Sequence, residues 1–206
     1  VDRLTFDEAA HVYRWDGRVV PNVTKIIAPL TDYSHIPPDV LLRAQEQGKA
    51  IHKMVELDCQ NRLNVATLPD WMRPRYAAWC RFKEQTGFIC WDTERRGYNE
   101  TYGYGYTLDL AGRLPYLKDI RGGALLDVKR SLYAGAAIGL QLAAYEDCRN
   151  REVPRDLSTS YRFALVLNDN EQYRLEPFTD RDDHLAFLAC LQQLRWREKH
   201  YGKRNA

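Results

Sequence analysis

The chain has 206 residues, enough for one well-buried domain, and its 45% hydrophobic and 28% charged residues are those of a globular protein rather than a disordered one. No apolar stretch approaches the roughly 18–20 residues of a membrane span, and the N-terminus lacks the basic-then-apolar layout of a secretion signal. A net charge of +2 is too small to mark a nucleic-acid binder by itself, so a cytoplasmic protein with no membrane partner is expected and its partners must be sought in local patterns.

The first twenty residues read as a hairpin. Leu4-Thr-Phe6 and His11-Val-Tyr-Arg-Trp15 alternate, and Asp16-Gly17 makes a favoured turn into Arg18-Val-Val20. Asn22 or Thr24 starts a short helical turn that Pro29 ends. Pro37-Pro-Asp39 opens a helix, since proline is tolerated in a first turn and aspartate suits an N-terminus. Gly48 interrupts its apolar pattern, as a kink or a place of close backbone approach. Pro69 and Asp70 begin another helix to about Thr86, ended by Gly87.

Strands follow at Phe88 to Glu94, Tyr104 to Arg113 and Gly123 to Lys129. Ala134 to Asn150, rich in Ala and Leu, is a helix. Ser160 to Leu167 and Gln172 to Phe178 form a hairpin around Asn168-Asp-Asn170. Thr179 is the expected N-cap of the last helix, with Asp182 and Asp183 completing a capping box, and that helix runs to about His200. The order implies one α/β sandwich: a central mixed sheet flanked by helices, with residues 1–35 as a small N-terminal extension and 36–206 as the core.

Five cysteines, Cys59, Cys80, Cys90, Cys148 and Cys190, are scattered without a CxxC pair, which argues against a disulfide framework, a zinc site or an iron–sulfur cluster. No GxxxxGK[ST] signature is present, so no nucleotide cofactor or helicase motor is expected. Arg73, Arg75, Arg81 and Lys83 interleave with Trp71, Tyr76, Trp79 and Phe82, and the stretch from Arg195 to Arg204 carries Trp196 and Tyr201. Aromatics beside cations suit base stacking and phosphate neutralisation; the same pattern fits amphipathic helices with solvated cations.

The chemistry concentrates in Leu108-Asp109 and Asp127-Val-Lys129. Side chains in a strand alternate faces, so Asp127 and Lys129 share one face about 6.5–7 Å apart, while Leu126 and Val128 point to a core. On the preceding strand Thr107, Asp109 and Ala111 should share a face opposite Leu108 and Leu110. If the strands are neighbours, the two carboxylates converge. Like charges brought together out of water raise each other's pKa. A hard cation such as Mg²⁺ removes that conflict and can polarise a phosphate and acidify water, with Lys129 stabilising the charge that builds on phosphorus.

In these pieces the chain resembles the PD-(D/E)xK nuclease superfamily, and within it the RecB-type branch that includes small phage-encoded exonucleases. The pieces occur in order: Val20-Pro-Asn-Val-Thr24, Gly48-Lys-Ala-Ile-His52, Leu108-Asp109, Asp127-Val-Lys129 and Gln141-Leu-Ala-Ala-Tyr145. The resemblance implies a restriction-endonuclease-like core. It implies that one or two Mg²⁺ or Mn²⁺ ions are held by His52, Asp109, Asp127 and the carbonyl of Val128. Lys129 would be the catalytic lysine. Gln141 and Tyr145, on one helix face, would lie beside the site and help hold the catalytic strand or DNA.

Glu94 is a further site-lining candidate, with Glu100 as its rival. Ser131 either bonds a DNA phosphate or ends its strand. Asp127 stands where many members carry Glu, one methylene longer.

The implied activity is DNA hydrolysis, exonucleolytic rather than endonucleolytic, in phage or bacterial recombination and DNA processing. RNA stays open as a substrate, and a single-strand annealing protein, a recombinase or further copies of the chain are the implied protein partners. Two other readings fit the residues: a silent DNA-binding or complex-assembly subunit, and a restriction-type endonuclease. The intact acid–acid–lysine set weighs against the first, because clustered acids repel phosphate. The lack of an obvious added recognition domain weighs against the second.

Overall fold

The computed structural model describes residues 3–131 and 135–202. Ala134, expected to open a helix, and Lys203 and Arg204 of the basic stretch lie outside them. The N-terminal segment is a three-stranded antiparallel sheet of β1 (Leu4–Asp7), β2 (Val12–Trp15) and β3 (Arg18–Val20), one strand more than a hairpin. Asp16 and Gly17 both take positive φ, 48° and 78°, which is what a tight turn matched to strand twist requires. Helix α1 (Val23–Ile27) is capped by Asn22, whose side chain accepts the Lys25 N–H at 2.8 Å. Pro29 does not stop the chain at once; it sits in a short 3-10 turn, Ala28–Leu30.

Helix α2 (Pro38–Cys59) has Pro37 as its N-cap and runs through Gly48 without a break. The close approach is not found among the described residues either, since a Cβ at Gly48 would meet none of them within 4 Å. Helix α3 (Arg73–Thr86) ends where Gly87, at φ 64°, donates to the Lys83 carbonyl.

Five strands make the main sheet: β4 (Ile89–Asn99), β5 (Tyr104–Arg113), β6 (Gly123–Lys129), β7 (Thr159–Leu167) and β8 (Tyr173–Pro177), side by side in that order. Only β6 and β7 pair in parallel. Parallel neighbours need a crossover, and α4 (Gly135–Glu152) supplies it. Helix α4 packs on one face with α1 and α5 (Asp183–Tyr201), around Leu125, Ile138, Leu142 and Phe187. Helices α2 and α3 cover the other, around Ile51, Val55, Leu126 and Val128. Side chains of this kind contribute about 1.5–3 kcal/mol each on full burial.

The last helix starts at Asp183, not at Thr179, and Asp182 makes no side-chain cap. Buried Arg162 is the reason: it donates to the Asp180 carbonyl at 2.6 Å and to Asp183 Oδ2 at 3.1 Å, holding the preceding residues in a non-helical path. The N-terminal sheet docks on β5 at Gly105, whose N–H bonds the Pro21 carbonyl at 2.8 Å. A Cβ at Gly105 would lie 2.5 Å from the Tyr13 ring, so only glycine permits this approach. Among the described residues no helix is long and apolar enough to cross a membrane.

Candidate metal centre

The ladder between β5 and β6 ends at Leu110↔Leu126, one step short of Asp109 and Asp127. The strands splay where the acids sit. Val128 then has a main-chain N–H and C=O with no β5 partner, and buried backbone groups of that kind must be bonded. Two side chains take them. Asp109 Oδ2 accepts the Val128 N–H at 2.7 Å, and the Val128 carbonyl lies 2.7 Å from His52 Nε2.

Glu94 lies on β4 between the pairs Thr93↔Leu110 and Arg95↔Leu108, which places it opposite Asp109. Its φ is 47°, a left-handed backbone that a non-glycine residue adopts in mid-strand only at a cost of about 1–3 kcal/mol. The alternation of β5 changes at the same level. Leu108 packs into the α4–α5 cluster while Leu110 packs into the α2–α3 cluster, so the two do not share a face as simple alternation requires.

A carbonyl oxygen only accepts, so His52 carries its hydrogen on Nε2 and turns Nδ1 toward the acids. Nδ1 lies 3.5 Å from Asp109 Oδ2 and 3.6 Å from Glu94 Oε1. One ligand atom each from His52, Glu94 and Asp109 can be chosen so that all lie within 4.8 Å of one another. A lone pair on Nδ1 facing two carboxylates is unfavourable without a positive charge among them. A proton can supply it: burial alone would lower the His52 pKa, but the Asp109 carboxylate and Glu94 overcome that and raise it to about 9. A divalent ion can supply it too, and one nitrogen with two carboxylates is a donor set that Mn²⁺ or Mg²⁺ accepts.

Asp127 stands outside this group. It is 1% exposed, with Oδ2 in ionic contact with Lys129 Nζ at 2.7 Å. Gln141 Nε2 donates both to Asp127 Oδ1 and to the Tyr145 hydroxyl, each at 3.0 Å. Burial first, then Asp109, raise the Asp127 carboxyl to about 6 against the opposing pull of Lys129. Burial would lower the Lys129 ammonium, yet Asp127 and Asp109 hold it above its ordinary value, so it stays charged. The Tyr145 phenol is raised by burial and by both aspartates, and stays neutral.

The structure thus gathers His52, Asp109 and Glu94 in one cluster and Asp127, Lys129, Gln141 and Tyr145 in a second beside it. The Val128 carbonyl, expected as a ligand, is engaged by His52. Exposed Glu100 pairs with Arg3 at 3.5 Å and is not among the gathered donors. Ser131 is exposed. Tyr13 carried no signal in the sequence beyond its place on an alternating strand. It is buried, bonds Thr107 through its hydroxyl, and lies in the fields of Glu94 and Tyr145.

Part of the aromatic–cationic stretch around α3 is used for packing, while Trp71 and Arg73 are exposed. Trp79 and Phe82 are both 0% exposed, and Asp58 accepts from the Trp79 indole at 2.7 Å and from Lys83. No family model matches the chain, and no curated protein matches it significantly.

Proposed function

We propose that the chain is a metal-dependent nuclease of the PD-(D/E)xK type that hydrolyses DNA phosphodiesters, with an exonuclease favoured by resemblance. One observation carries this reading: an imidazole and two carboxylates converge within 4.8 Å, and the half-buried Lys129, paired with buried Asp127, flanks them through Val128. The five-stranded mixed sheet with its α4 crossover is compatible with a restriction-endonuclease-like core.

His52, Glu94 and Asp109 would hold the ion. When bound, the ion supplies Lewis acidity toward a phosphate oxygen and lowers the pKa of water. The protein's own groups do the rest. Lys129 keeps its proton and presents an ammonium where negative charge grows on a phosphoryl group. Asp127 holds that ammonium on one oxygen, while Gln141 fixes the other. Asp109 and His52 clamp the backbone between the acid and the lysine, which sets the lysine's position relative to the cluster.

Digestion of end-labelled linear DNA and closed circular DNA with Mg²⁺ or Mn²⁺ tests the reading. Metal-dependent cleavage that Lys129→Ala and Asp127→Ala abolish is expected, with linear DNA preferred. Binding without cleavage, or cleavage equal in the variants, contradicts it.

A further inference from the structure

Helix α2 lies antiparallel along β4. Cys59, at the helix end, has its thiol against that of Cys90 at the strand's start, and His52 faces Glu94. Continuing the same register brings Lys49 opposite Arg96. Lys49 precedes His52 by three residues, about 4.5 Å along the helix and on the same side. Arg96 follows Glu94 by two residues, about 6.5 Å along the strand.

Ring contacts place Arg96 beside the N-terminal sheet. The Arg96 guanidinium sits 4.5 Å from the centre of the Phe6 ring, and His11 packs edge-on against the same ring at 5.2 Å. His11 feels both cations: burial, then Lys49 and Arg96, lower its pKa. Helix, main sheet and N-terminal sheet therefore bring Lys49, Arg96 and His11 to one rim of the metal cluster. Lys49 and Arg96 are exposed, and neither pairs with a carboxylate among the described residues. Exposed cations that no carboxylate of the described residues pairs with are complementary to an anion. Each nucleotide advances about 3.4 Å along the axis of a stacked strand, so the offset from the cluster corresponds to one or two steps.

We infer that Lys49 and Arg96, with His11 at their edge, bind a non-scissile backbone phosphate of a nucleic-acid strand, one or two positions from the bond held at the metal cluster. This deepens the nuclease reading and rests on it. Phe6 orients the guanidinium by a cation–π contact, and the three-stranded N-terminal sheet is thereby part of the substrate path.

The test separates binding from turnover. Fluorescence anisotropy with a short labelled single-stranded DNA, in EDTA over a salt series, reads the phosphate contact alone. Lys49→Ala with Arg96→Ala should weaken binding about tenfold or more and flatten the slope of log Kd against log salt by about one. Lys49→Arg with Arg96→Lys should restore most of both. Lys118→Ala, at the other end of β5 and β6, should change neither. In Mg²⁺ or Mn²⁺ the alanine pair should raise KM more than it lowers kcat, whereas Lys129→Ala should lower kcat. If the wild type binds and cuts but the alanine pair matches it in affinity and slope, the phosphate step is wrong while the nuclease reading stands. If the wild type binds through these cations yet never cuts, the nuclease reading falls, and with it the place of this phosphate next to a scissile bond.

Discussion

His52 donates from Nε2 to the carbonyl oxygen of Val128 at 2.7 Å, and that bond decides which nitrogen is left for the acids. It also ties α2 to the strand that carries Asp127 and Lys129. The centre is therefore assembled by α2, β4, β5 and β6 together, and no two neighbouring residues of the sequence could form it alone.

The charge on His52 gives a pH dependence. Its pKa in the folded, ion-free protein is about 9, above the ordinary 6.5. A raised imidazole contributes stability that is complete below the unfolded value and is lost as pH rises through the folded one. Ion-free protein should lose melting temperature between about pH 6.5 and 9, and Mn²⁺ should raise it more at the upper end because the proton no longer competes. Asp127, raised from 3.8 to about 6, acts below that window. Thermal melts in EDTA and in Mn²⁺ check this, and a metal-induced rise that is larger at pH 6.5 contradicts it.

Glu94 holds a left-handed backbone in mid-strand. Glu94→Gly should be more stable than Glu94→Ala by about 1 kcal/mol, the reverse of the order at an ordinary strand position. Both should lose metal affinity. Urea denaturation with a parallel Mn²⁺ titration reads the two effects separately.

Lys129→Ala should lower turnover by about 10²-fold or more, as for loss of a group that meets developing charge. Metal binding should persist, because Lys129 is not among the three gathered donors. Asp127, left without its partner, should take up a proton near neutral pH, which limits the stability loss to about 1–3 kcal/mol. Kinetics and chemical denaturation of the same variant check both halves.

Gln141 serves two acceptors with one nitrogen. Gln141→Ala should cost about 1–2 kcal/mol, because buried Asp127 Oδ1 loses its donor. Tyr145→Phe should cost less, since its hydroxyl accepts there and the amide keeps Asp127. A double variant measured by urea unfolding should show that the two costs do not add.

The strands that carry the acids were legible from residues alone. Tyr104 to Arg113 and Gly123 to Lys129 have the observed bounds, because apolar runs there are punctuated by Gly and Arg. Leu126 and Val128 do point to a core opposite Asp127. Strand β4 is longer than the residues suggest, because Arg95 and Arg96 break the apolar pattern while the ladder to β5 continues to Asn99. Glu94 was legible as a site-lining candidate, but its positive φ has no local signature, and neither has the change of face between Leu108 and Leu110. The late start of α5 depends on Arg162, far from Thr179 in sequence, and the docking of Tyr13 depends on the absent side chain of Gly105.

Calorimetric titration of Mn²⁺ into the wild type and into Asp109→Asn and Glu94→Gln is the most direct measurement. Saturable uptake of at least about one ion by the wild type, weakened about tenfold or more in each variant, is the expected result. Equal uptake by all three proteins, or none by the wild type at millimolar Mn²⁺, contradicts a metal centre built on these residues.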